Sequence, residues 1–167
     1  MNLQEGREKF IQTWGTLGSN WGINRTMAQI HALLLISPEA LSAEDIMEQL
    51  KISRGNTNMN VRALMDWGLV FKELKAGERR EFFYAEKDMW KVAMQVVKER
   101  RKRELEPLFG TMTDLKKVKD ASAEGQQFES TIANLDSVIA KADKTLDLLV
   151  KADESWFMNN FLKLMMK

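Results

Sequence analysis

The chain has no cysteine, one histidine and two prolines among its 167 residues, and each scarcity excludes a class of chemistry. Without thiols there is no disulfide, no thiol redox switch and no thiolate metal site. His31 has no second histidine with which to share a metal, so a packed or hydrogen-bonded role is expected for it rather than ligation or catalysis. No run of about 18 apolar residues is present to span a bilayer. The opening stretch carries Glu5, Arg7, Glu8 and Lys9 and does not form a signal peptide. The chain is therefore expected in the cytoplasm, without a membrane partner. A glycine-rich phosphate loop, an HExxH pair, a nucleophile elbow and a Cys/His pair are also missing. No catalytic residue, metal ligand or cofactor is assigned, and an enzyme is not expected.

What is present is an ordinary globular composition, 44% apolar and 29% charged, with an uneven charge map. Residues 1–50 carry a net −3, residues 51–104 a net +6 and residues 105–167 a net −2, within a chain of formal charge +1. A near-neutral chain with one basic stretch has the charge pattern that phosphate neutralisation requires.

Two short helices can be read around the start of that stretch, one just before it and one within it. Ser42 precedes the apolar positions Ile46, Met47 and Leu50 and has Asp45 three residues on, a pairing that satisfies orphan amides at a helix start. A helix over about 43–50 is predicted. Lys51 and Ile52 leave room for a tight turn only, and Ser53 is a second N-cap. Thr57, Val61 and Leu64 then mark the buried stripe of a second helix. Its other faces carry Arg54, Asn56, Asn58 and Arg62, side chains able to hydrogen-bond base edges or phosphates in a major groove. Gly68 is placed to end this helix in a left-handed cap. Residues 69–75 and 79–85 read as two strands of a hairpin joined by Ala76-Gly77-Glu78. Lys72, Lys75, Arg79 and Arg80 cluster toward its tip, where phosphate or a minor groove would meet them. The candidate DNA contacts are therefore Ser53, Arg54, Asn56, Asn58, Arg62, Lys72, Lys75, Arg79 and Arg80.

The flanks read as helical. Leu3, Phe10, Ile11, Trp14 and Leu17 fit an amphipathic helix that Gly15, Gly18 and Gly22 weaken toward its end. Residues 25–36 form a helix apolar on nearly every side, expected mid-fold and stopped at Ser37-Pro38. After the hairpin, Met89, Val92, Ala93, Val96 and Val97 follow helical spacing into the cationic run 98–103, read as a solvated helix end, with added phosphate contacts as the alternative. Pro107 and Gly110 are expected to bound a break. Phe128, Ile132, Leu135, Ile139, Ala142, Leu146 and Leu149 form a heptad seam able to pair within the chain or between chains. A last short helix, 156–166, would need cover for Trp156, Phe157 and Phe161.

Trp21-Gly22-Ile23-Asn24-Arg25 leading into Ala28–Ile36, Ala40-Leu41-Ser42, Ser53-Arg54-Gly55, Asp66-Trp67-Gly68-Leu69-Val70 and Gly77-Glu78-Arg79-Arg80 together resemble the MarR superfamily, and within it the GbsR-like branch. The resemblance covers roughly residues 1–107. It implies a mainly α fold with a small β-hairpin wing: a winged helix-turn-helix plus N- and C-terminal dimerisation helices. The corresponding division is an N-terminal dimerisation helix at 1–24, a DNA-binding domain at 25–106 and a C-terminal helical dimerisation region at 107–167. A homodimeric transcription regulator bound to double-stranded operator DNA is implied, with the seam at 128–149 pairing between chains. The missing cysteines remove the peroxide-sensing mode of some relatives.

A small-molecule effector controls some relatives, and choline-type quaternary ammonium compounds are sensed in the GbsR-like branch. Aromatic faces would hold such a cation, and Trp14, Trp21, Tyr84 and Trp90 flank the junction of winged and helical parts. Core packing is the competing role for those rings. For the chain as a whole, the competing reading is a winged-helix protein–protein interaction module that does not bind DNA.

Overall fold

The computed structural model describes residues 1–20 and 22–153. Trp21 and the expected helix at 156–166 lie outside the described residues. The chain divides into two compact units, Met1–Val92 and the part from Ala93 on, each described by itself.

In the first unit, α1 (Leu3–Asn20) and α2 (Arg25–Ile36) are followed by β1 (Leu41–Ser42), α3 (Ala43–Leu50), α4 (Arg54–Asp66), β2 (Val70–Leu74) and β3 (Glu81–Ala85). The strands form an antiparallel sheet in the order β1-β3-β2. β2 and β3 are the expected hairpin, β2 one residue shorter at each end than the reading from sequence and β3 two shorter at its start. β1 was not expected: Leu41 pairs with Phe83 and Ser42 with Phe82. Two residues next to a helix cap carry too little alternation to read as a strand, and only their partner on the hairpin defines them as one. A winged helix-turn-helix results.

α2 is the centre of this unit. It packs on α1, α3, α4 and β3, and Ile30, Leu33 and Leu34 are no more than 1% exposed, as its all-round apolar sequence demands. Asn24 caps its start by accepting from the Met27 N–H at 3.1 Å. Its C-terminal carbonyls are held from outside. Lys87 Nζ donates to the carbonyls of Leu34, Leu35 and Ser37 at 2.6, 2.8 and 2.8 Å, using cationic charge where a helix end is partially negative.

α1 runs on through Gly15 and Gly18 to Asn20, where weakening had been expected. The physical reason is close approach. A Cβ built on Gly18 would lie 2.6 Å from Ala28 Cβ, and one on Gly15 would lie 2.7 Å from Gln29 Cγ. The glycines let α1 and α2 touch backbone to side chain, and the packing so gained outweighs their low helix propensity.

Between these helices sits His31, 4% exposed. Its Nδ1 accepts from the Trp14 indole N–H at 3.3 Å, while its Nε2 is buried without a partner. Burial, aided by the Lys87 charge, lowers its pKa to about 4.

In the second unit α5 (Met89–Arg100), which begins in the first, leads through five π-helical residues, Arg101–Leu105, into α6 (Glu106–Leu115), and α7 (Ala123–Asp153) follows. The break expected at Pro107 and Gly110 is absent. Pro107 has no N–H to give and would collide with the carbonyl four residues back. The path widens before it instead, with the Glu106 N–H donating to the Arg101 carbonyl, and Pro107 sits in the first turn of α6. α7 packs on this π segment and on α6. Of the heptad seam, Ile132 and Ile139 are buried, whereas Leu135 and Leu149 are exposed. Arg101 bridges to α7, donating to Asp143 at 2.6 and 3.1 Å. No helix among the described residues is long and apolar enough to cross a membrane.

Two stability outcomes follow from α1–α2. Gly18→Ala is expected to cost about 1–3 kcal/mol by overpacking. Gly6→Ala, where an added Cβ meets nothing within 4 Å, should gain about 0.5–1 kcal/mol, both read by urea unfolding. For His31 the folded pKa of about 4 lies below the ordinary 6.5. Between those values the unfolded chain binds a proton that the folded chain refuses, so stability is lost as pH falls through this window. The loss should be on the order of 3 kcal/mol by pH 4, and His31→Phe should remove this slope. A wild-type profile flat from pH 7 to 4 would contradict the burial assignment.

Candidate nucleic-acid interface

The helix-turn-helix is built by two caps. Ser42 Oγ accepts from the Asp45 N–H at 3.2 Å, and the Asp45 carboxylate accepts from the Ser42 N–H at 2.8 Å, a complete capping box. The Ser42 hydroxyl, which donates to the Asp45 carboxylate at 2.7 Å, and then the Ser42 N–H, with the nearby charges of Arg80 and Lys75 assisting, hold the Asp45 carboxyl below the usual carboxylate range. α3 ends at Lys51, which adopts φ 54°, ψ 45°. A left-handed residue turns the chain sharply enough for Ser53 to start α4 two residues later. The Ser53 hydroxyl accepts from the Asn56 N–H at 3.3 Å, so this expected contact residue also serves as the N-cap of α4.

α4 buries Thr57, Asn60, Val61 and Leu64. Two of these are polar and internally satisfied. Thr57 donates to the Ser53 carbonyl at 3.0 Å, and Asn60 Nδ2 donates to the Asn56 carbonyl at 2.8 Å and to Asn56 Oδ1 at 2.7 Å. Asn56 is thus half-buried, with its side-chain oxygen already engaged. At the opposite face, Gly55, Asn58, Met59, Arg62, Ala63 and Asp66 line an open cleft of about 500 Å³. The side chains of Asn58 and Arg62 have no hydrogen bond or ion pair among the described residues. Arg54, at the helix start, pairs with Glu44 of α3 at 3.1 Å. Both side chains are largely exposed, and such a pair is weak enough for phosphate to displace the carboxylate.

In the wing, the Glu78 N–H donates to the Lys75 carbonyl at 3.1 Å to close the turn. Three of its four expected cations have intramolecular partners. Lys72 pairs with Glu81. Lys75 lies 4.4 Å from the Phe82 ring centroid and Arg80 5.5 Å from it, and Arg80 also pairs with Glu78 at 3.3 Å. That Glu78 bond raises the Arg80 pKa further above its already basic value. Arg79 is exposed and has no partner among the described residues. The contact residues available without rearrangement are therefore Asn58 and Arg62 on α4 and Arg79 near the hairpin tip.

Reading the sequence missed Gly55, Met59 and Asp66 on this face. Their spacing from Arg62, seven and three residues before it and four after, was the available signal. Lys87, counted there within the basic stretch, is committed to the end of α2. In the second unit, Arg100 pairs with Glu104 at 2.8 Å and Arg103 with Glu99 at 3.3 Å. With Arg101 on Asp143, the 98–103 run is largely tied up in its own helices.

Of the aromatic residues expected at an effector site, Trp14 and Tyr84 have separate ring partners. Trp14 lies 5.5 Å from Phe10 and 6.1 Å from His31, ring to ring. Tyr84 lies 5.5 Å from Phe71 on the wing, beside an open cleft of about 710 Å³ that also includes Glu39, Glu73 and Glu86. Trp90 is 44% exposed. Among the described residues, no group of three or more His, Cys, Asp or Glu is arranged to hold a metal.

The fold is similar to that of a transcriptional regulator of known crystal structure, with a TM-score of 0.56 at 19% identity over 85% of this chain and 98% of that one. An S. aureus MepR mutant bound to an oligodeoxyribonucleotide is similar at a TM-score of 0.41 and 13% identity, over 82% and 92% of the two chains. A ZitR mutant from Lactococcus lactis follows at 0.37 and 16%, over 85% and 98%. No curated protein matches the chain. The MarR family model matches residues 21–81, the stretch that holds α2, the helix-turn-helix and the hairpin as far as the first residue of β3.

Proposed function

We propose that the protein is a MarR-family transcription regulator of the GbsR-like branch that acts in the cytoplasm as a homodimer on double-stranded operator DNA. The observation that carries this is the outward face of α4, where the side chains of Asn58 and Arg62 stand unpartnered, as does Arg79 of the wing. α4 enters the major groove, Arg62 and Asn58 read base edges, and Arg79 meets backbone phosphate. Arg54, Lys72, Lys75 and Arg80 join by exchanging exposed carboxylates or ring contacts for phosphate. Ser53 and Asn56 hold the start of α4 and offer their remaining donors there. The domain division at 1–24, 25–106 and 107–167 belongs to this reading. Dimerisation is supported by the apolar residues that α7 leaves exposed, Leu135, Val138, Leu148 and Leu149. Control by a small effector is part of the proposal, with Tyr84 the ring beside an open cleft.

A second reading, a protein–protein interaction module, is favoured by one observation. Phe71, Leu74 and Tyr84 are 40%, 74% and 41% exposed on the wing. The two readings separate on duplex binding.

Fluorescence anisotropy with duplex from the protein's own upstream region and with a scrambled duplex, across a salt series, tests the proposal. Salt-sensitive preference for the upstream duplex is expected, and absence of binding to either at low salt would favour the interaction module. Arg62→Ala should relax preference at one base position and cost about 1–3 kcal/mol. Arg79→Ala should weaken all sequences alike and lower the salt slope by about one. Identical behaviour of the two variants would contradict this division of roles.

A further inference from the structure

Two residues on the outward face of α4, Gly55 and Met59, are exposed. Met59 is 60% exposed, an apolar side chain on a helix face that otherwise carries Asn58, Arg62 and Asp66. Gly55, one turn earlier on the same face, is interior to neither a turn nor a tight contact. Its φ is not in the left-handed region, and a Cβ added there would meet nothing within 4 Å. Gly55 is the second residue of α4, and nothing in the fold calls for a glycine at this position. Gly18 marks the contrast, because there the glycine is required by a neighbouring helix. At Gly55 no neighbour among the described residues requires the missing side chain.

The two residues are four apart and so adjacent on the surface, and both line the open cleft of about 500 Å³ together with Asn58 and Arg62. The cleft thus combines the apolar, polarizable side chain of Met59 and the bare backbone of Gly55 with two side chains suited to base edges. In a major groove, the base group that matches an apolar recess is the 5-methyl of thymine, which has no hydrogen-bonding capacity and is read by apolar contact alone. Met adapts its shape readily to such a contact. We propose that Gly55 and Met59 form a thymine-methyl recess, which makes Met59 a specificity-determining residue and lets Gly55 admit the base pair close to the helix. This rests on the reading of α4 as the helix that enters the major groove.

The test uses the full chain and duplexes that it selects from a randomised pool. Each thymine in the selected site is replaced singly by deoxyuridine, which removes the methyl and keeps the pairing edge. Wild-type protein should lose affinity by about fourfold per half-site at one thymine position, the effect of removing one buried methyl. Met59→Ala should bind the thymine and uracil duplexes equally while keeping its preference at the Arg62-read base. Gly55→Leu should melt no lower than wild type, yet lose about tenfold or more in affinity by overpacking the recess. Wild-type binding that is indifferent to every such replacement, or Met59→Ala retaining the full thymine preference, overturns the recess and leaves DNA binding intact. Gly55→Leu binding as tightly as wild type overturns the assigned role of Gly55. Failure of the wild-type chain to select any duplex overturns the DNA-binding reading itself, and the recess with it.

Discussion

The buried Ser42, through its hydroxyl and its backbone, joins the two halves of the proposed reading surface. Ser42 is fully buried, pairs with Phe82 as the last residue of β1 and at the same time caps α3 through its reciprocal bonds with Asp45. The start of the helix-turn-helix and the central strand of the wing are therefore fixed by a single residue. Phe82, on that strand, is also the ring over which Lys75 and Arg80 lie, and both cations are close enough to Asp45 to lower its pKa. An N-cap contributes about 1 kcal/mol to an ordinary helix. Here the capping residue is also paired with the central strand of the hairpin, so strand pairing and helix capping support each other.

α4 divides its polar residues between two tasks because of this frame. Thr57 and Asn60 point inward and satisfy themselves on the carbonyls of Ser53 and Asn56, which allows a polar sequence to pack as a buried stripe. The polar side chains on the opposite face are then free of structural duty. Electrostatics follows the same division. Exposed pairs such as Arg54 with Glu44 and Arg80 with Glu78 are loosely held, whereas Lys87 sits on three carbonyls at the end of α2. A cation's place in the sequence does not tell which of these it does.

Much of this was legible from residue order alone. The caps at Ser42 and Ser53, the left-handed Gly68 with φ 67°, the buried α2 and the hairpin follow from local rules that act within a few residues. What escaped the sequence depends on partners far along the chain. Gly15 and Gly18 read as helix weakeners until α2 is seen against them. β1 is a strand only because β3 pairs with it. The break expected at Pro107 is absorbed by widening the preceding turn, an adjustment that proline itself does not announce. Asn56 seemed as available as Asn58 because only the helical phase of Asn60 shows that its oxygen is engaged. The contact residues were chosen by side-chain type, and that criterion passes over Met59 and Gly55, whose proposed value lies in being apolar or absent.

The central claim is that the outward face of α4 and the tip of the wing together form the surface that meets duplex DNA. Amide chemical-shift mapping of isotopically labelled protein titrated with duplex tests it most directly, since it needs no substitution. The account predicts that the perturbed amides concentrate in residues 54–66 and 76–80. Perturbation confined to α7 or to the strands around Phe71 and Tyr84 would contradict it.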